Sequence, residues 1–220
     1  MQGAFLATLC LALSGPLLVA AATRSMARRG ALNLANIGAQ ILLAAITAAA
    51  ILLCLGPLHK ALASIGLSLP TWRTPLLALA LAASFIWFIG PCLAKGREWL
   101  GATGFEQGFA ELRQLRLSTL VAAVLVVATL EEALYRGVGY NLLMEWVGPA
   151  AALVLVSIAF SIAHIPLWGM APSLTIGLLG GGVFTAFYAA TGDLWANGLA
   201  HIAVDMVGIV MPLRDRDRAR

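Results

Sequence analysis

Leu117-Ser-Thr-Leu-Val-Ala-Ala-Val-Leu-Val-Val-Ala-Thr-Leu-Glu131-Glu132-Ala-Leu-Tyr-Arg136 is the stretch that decides the fold. An uncharged apolar run of near-membrane length leads into two adjacent carboxylates and then a guanidinium. A charge at the centre of a spanning helix costs roughly 2.5–3.5 kcal/mol on insertion scales, so such residues face a bundle interior or a wet cavity. Glu132 and Arg136 stand at i,i+4 on one helical face and can pair. Glu131 is turned away by about 100°. One carboxylate is thus neutralised within its own helix, and the other needs partners from elsewhere in the chain.

The rest of the sequence fits a membrane setting. Of 220 residues, 61% are hydrophobic and 11% charged, against roughly 25% charged in soluble domains. The mean hydropathy is +0.92. A net charge of +4 does not indicate a nucleic-acid surface, because the basic residues lie between apolar runs and no Lys/Arg cluster is interleaved with aromatics. Apolar runs near 3–22, 33–56, 74–94, 117–144, 148–165, 173–191 and 194–212 each approach the ~20 residues that a span needs. The fold expected is all-α: a polytopic transmembrane helix bundle of about seven spans. The first run lacks a positive n-region and reads as a retained span rather than a cleaved signal peptide.

Alternate connections collect eleven Lys and Arg on one side, including the tail Arg214-Asp-Arg-Asp-Arg-Ala-Arg220, and only Lys60 and Arg73 on the other. By the positive-inside rule the first side, and the C-terminus with it, is cytoplasmic. A multi-pass protein of a bacterial inner membrane is expected. Between Lys95 and Arg116, Phe105, Phe109 and Leu112 recur at helical spacing among charges, which predicts an amphipathic helix on the cytoplasmic surface between spans three and four. Gly180-Gly181-Gly182 reads as a site of close helix packing. Cys10, Cys54 and Cys92 have no metal-like spacing and read as inert packing residues. His59 sits in a Pro-containing connection and reads as a solvated loop residue.

Three more polar residues in the spans can supply chemistry. His164 ends the fifth run, and His201 and Asp205 share one face of the seventh at i,i+4. Asp205 can accept a hydrogen bond from one imidazole nitrogen of His201 and so fix the reactive tautomer. A free carboxylate, two imidazoles and a second carboxylate are the groups that water activation requires. In one version Glu131 is the general base, His164 holds the water and His201 stabilises an oxyanion. In the other, two His and a carboxylate hold a divalent metal such as zinc, although His-Glu-x-x-His is absent. Spacing leaves both open.

Glu-Glu-x-x-x-Arg at 131–136, Phe-x-x-x-His at 160–164 and His-x-x-x-Asp at 201–205 resemble, in order and separation, the three motifs of the CAAX prenyl protease and bacteriocin-processing (CPBP, or Abi) intramembrane proteases. Thr191-Gly-Asp-Leu-Trp195 looks like that family's lead-in to its third motif. The resemblance covers about 117–212 and implies a helical endopeptidase of the glutamate type. It implies Glu131 as base, His164 as its water-holding partner, and His201 with Asp205 on the oxyanion side. Glu132, Arg136 and Phe160 would be supporting residues. Many relatives have Asn where this chain has Asp205, and an ionised Asp cannot donate to an oxyanion. Asp205 is therefore protonated, or orients His201, or favours a metal. Three regions follow: N-terminal spans and interfacial connection over 1–116, a catalytic core over 117–213 and a basic tail over 214–220.

The partners implied are the lipid bilayer and a membrane-associated peptide or protein substrate. Two other classes account for the same residues. A non-catalytic immunity or scaffold protein would keep them as a buried polar network. A proton-coupled transporter would use them as a relay, but no duplicated half is evident.

Overall fold

In lipid, backbone N–H and C=O groups must be satisfied within the segment, so apolar runs of this length fold as helices. The computed structural model describes residues 2–27, 32–99, 112 and 114–212, and contains no strand among them. Among the described residues seven α-helical segments of ten residues or more follow one another. They are α1 (Gln2–Ala27), α2 (Leu32–Leu55), α3 (74–99), α4 (Leu117–Val147), α5 (Pro149–Trp168), α6 (Met170–Thr191) and α7 (Leu194–Val210). The first six are long and apolar enough to cross a bilayer, whereas α7 is apolar but shorter. Among the described residues, length and composition thus give six candidate spans and a shorter seventh apolar helix, against about seven from the hydropathy pattern. The surface helix expected between spans three and four falls mostly on 100–111, which lie outside the described residues. The basic tail from Arg214 lies outside them as well.

The last four helices are joined by very short turns. Gly148 alone separates α4 from α5 and Gly169 alone separates α5 from α6, with φ of 83° and 84°. A left-handed turn one residue long is open to glycine at little cost, and Pro149 then starts α5 where its missing N–H does no harm. Asp193 caps α7: its Oδ1 accepts from the Ala196 N–H at 2.9 Å, and its Oδ2 accepts from Thr74 Oγ1 at 2.6 Å. The cap therefore also fastens the start of α7 to the start of α3.

The second half of α4 is central. Leu134, Tyr135, Val138 and Leu142 pack with Leu9, Ala12 and Leu43 of α1 and α2 and with Val156 and Phe160 of α5. A second cluster joins Leu81 and Phe85 of α3 to Phe184 of α6 and Ala200 of α7. From Ala133 to Tyr140 the α4 backbone is a π-helix, a form found mostly in short stretches and often at functional sites. Asn141 Nδ2 donates to the carbonyls of Gly137 at 2.7 Å and Arg136 at 3.3 Å, satisfying acceptors that the widened turn leaves.

Among the cysteines Cys54 is buried as expected, but Cys10 and Cys92 lie on outward faces and do not pack in the interior. His59 is exposed, in the connection between α2 and α3.

Candidate active site

Glu132 is the centre of a buried polar network spanning three helices. Its Oε1 accepts from Arg136 Nη1 at 2.9 Å and lies 2.9 Å from His201 Nδ1; its Oε2 accepts from Asn197 Nδ2 at 3.0 Å. Arg136 has no exposed surface. It also donates from Nη2 to the Gly181 carbonyl at 2.9 Å and from Nε to Thr185 Oγ1 at 3.2 Å, and Thr185 Oγ1 donates to the same carbonyl at 2.8 Å. Every edge of the guanidinium is therefore met. Such complete pairing is what a charge requires in a low-dielectric interior.

Glu131, the neighbouring carboxylate, makes no hydrogen bond or ion pair among the described residues. It is 8% exposed and lines a cavity of about 230 Å³ together with His164, His201 and Asp205. The adjacent glutamates have thus separated into a fully bonded one and an unbonded one, as the i,i+4 argument predicts. Of the partners of Glu132, spacing names Arg136 but not His201 or Asn197.

His164 places Nδ1 at 2.7 Å from the Phe160 carbonyl. With Nδ1–H donating there, Nε2 keeps its lone pair. The imidazole lies between Phe160 and Trp168, each with a ring centroid 4.5 Å away. Phe160 in turn lies under the Arg136 guanidinium, with Cζ 4.7 Å from the ring centroid, and meets Tyr135 edge-on at 5.3 Å. Gly181 makes this stacking possible: a Cβ there would stand 2.7 Å from Phe160 Cδ1, and one at Gly177 would stand 2.9 Å from the Ser161 Cα. Close packing is thus what the glycines on this face of α6 provide. Gly181→Ala is expected to cost about 1–3 kcal/mol, as overpacked cores do, read as a lower unfolding temperature in detergent. An unchanged midpoint would mean that the Phe160 ring is free to move.

Asp205 differs from expectation. The sequence makes it the residue that fixes His201, but its Oδ2 is 3.7 Å from His201 Nε2, beyond hydrogen-bond length. Glu132 takes that role at Nδ1, because α4 passes close enough to α7 for a carboxylate of another helix to reach the ring. Asn197 belongs to none of the three motifs, but it precedes His201 by four residues in an apolar helix and so shares its face. Thr185 and the Gly181 carbonyl had no such signal, since neither is unusual in a span.

His164 and Glu131 line the same cavity, and in the chain they stand nearly equidistant from Gly148, where α4 and α5 meet. Among the described residues no group of three or more His, Cys, Asp or Glu is placed to hold a metal ion, and the Nδ1 atoms of both histidines face protein oxygens. A larger cavity, about 630 Å³, lies beside Trp72, Arg73 and Trp195 and includes none of Glu131, His164, His201 or Asp205.

The fold and site define a polytopic helical membrane protein with a buried Glu/His/Arg network at its centre. Residues 113–207 match the family model described as Type II CAAX prenyl endopeptidase Rce1-like, so over that stretch the chain is similar to this family. All three motifs fall within the match. No match was found among curated proteins or solved structures.

Proposed function

We propose that the chain is an intramembrane endopeptidase that hydrolyses a peptide bond in a membrane-associated peptide or protein, with water activated by Glu131 and His164. The observation that carries the reading is the division of labour between adjacent glutamates: Glu132 is held by three donors, while Glu131 stands unbonded in the cavity that His164 and His201 also line.

A water between Glu131 and His164 donates one hydrogen to the His164 Nε2 lone pair and gives the other as a proton to the Glu131 carboxylate. The resulting hydroxide attacks the scissile carbonyl. His201, protonated on both ring nitrogens, donates from Nδ1 to Glu132 and offers Nε2–H to the oxyanion. At 3.7 Å Asp205 is a counter-charge to that ring without engaging Nε2–H, which accommodates Asp where many relatives have Asn. Glu131 then passes its proton to the leaving amine as the C–N bond breaks.

The cavity is lined by Leu112 and Leu120 near the start of α4, by Leu167 and Trp168 at the end of α5 and by Ile209 of α7. These ends lie towards the side rich in Lys and Arg, which is cytoplasmic by the positive-inside rule. On this reading cleavage occurs towards the leaflet on that side.

The test is mass spectrometry of membrane peptides from cells producing the wild type or His164→Ala. Fragments present with the wild type should vanish with the variant, whose water has lost its acceptor. The same fragments in both samples would rule the reading out.

A further inference from the structure

We infer that Asn197 is a positioning residue that sets His201 through Glu132. Its Nδ2 donates twice, to Glu132 Oε2 at 3.0 Å and to the Phe184 carbonyl at 2.9 Å, and the side chain is wholly buried. Its Oδ1 has no hydrogen-bond partner among the described residues. Turning the amide over would set that oxygen against the Glu132 carboxylate and the Phe184 carbonyl, both acceptors, so the orientation is fixed by its donors. A buried amide that leaves its oxygen unpaired is costly, and the two Nδ2 bonds are what hold it there.

The consequence is geometric. Asn197 and His201 are one turn apart on α7 and grip the two oxygens of the same carboxylate, Oε2 and Oε1. Arg136 grips Oε1 from α4. With Asn197 in place, Oε2 is tied to α7 and Oε1 must bridge Arg136 and His201. Without it, the carboxylate is free to rotate so that both oxygens face the Arg136 guanidinium, the preferred two-pronged geometry of that pair, and His201 loses its Nδ1 acceptor. An amide suits the position because it supplies a third donor to Glu132 without adding a third cation. The bond to Phe184 also fixes α7 rotationally against α6.

The kinetic part of the test rests on the endopeptidase reading; the spectroscopic part does not. Full-length protein in detergent, labelled with ¹⁵N-histidine, contains three histidines, and His201 is assigned by the signal lost in His201→Gln. In Asn197→Ala, and in Asn197→Asp, which keeps the shape but carries no amide donor, the His201 Nδ1–H resonance should shift or disappear. The His164 Nδ1–H, bonded to Phe160, should stay in place. On a peptide cleaved by the wild type, kcat should fall by about 100-fold, the scale of a misplaced group near the chemistry, with KM unchanged. A folded variant with an unaltered His201 resonance would overturn the inference. Absence of turnover in the wild type would count against the endopeptidase reading alone, and the resonance would still decide the role of Asn197.

Discussion

Glu131→Gln is expected to abolish peptide hydrolysis, lowering kcat by about 10²–10⁴-fold, the contribution of a positioned general base, while the unfolding midpoint in detergent stays where it was. The two halves have one cause. Glu131 makes no hydrogen bond among the described residues, so an amide of nearly the same shape removes no packing or pairing, yet it cannot accept the proton of water. The same exchange at its neighbour should give the opposite pattern. Glu132→Gln places an NH₂ where Glu132 now accepts from Arg136, His201 and Asn197, and should lower stability as well as rate. The pair of variants also separates the endopeptidase from a scaffold that keeps the motif for structure: a scaffold tolerates Glu131→Gln in full. Hydrolysis at wild-type rate by Glu131→Gln would remove Glu131 as the base.

Arg136→Met should be the most destabilising single change in the core, by about 3–5 kcal/mol, because it takes from the buried Glu132 carboxylate its fully buried cation and leaves only His201 beside it. The side chain is roughly replaced in volume, so the loss reports on charge rather than on a cavity. The Gly181 carbonyl keeps its bond from Thr185, which confines the damage to Glu132 and to the face of Phe160 on which the guanidinium now rests. Combining Arg136→Met with Glu132→Gln should recover part of the loss, since the carboxylate that lost Arg136 is then itself uncharged. Unfolding in graded denaturing detergent measures both. A loss below about 1 kcal/mol for the single variant, the range of exposed ion pairs, would mean that the network does not hold the bundle together.

The outward architecture was legible because membrane insertion acts on local composition. Helical spans, the glycine-rich α6 face and the inward-facing positions of Glu131, His164 and His201 all follow from the cost of polar groups in hydrocarbon, which a sequence displays directly. The Glu132–Arg136 pair was legible for a similar reason, since both partners lie on one helix at a fixed spacing. The three motifs likewise carried the family resemblance over about 117–212, and the family model matches 113–207.

What only the tertiary structure decided is which groups from different helices meet. Whether His201 is held by Asp205, one turn away on its own helix, or by Glu132 on another depends on how closely α4 and α7 approach and how each is rotated. That approach is a property of the packed bundle and not of spacing within a single helix. Asn197 joined the site for the same reason: its place on the helix was readable, but an amide on an apolar helix has no direction until the neighbouring carboxylate and carbonyl are in position.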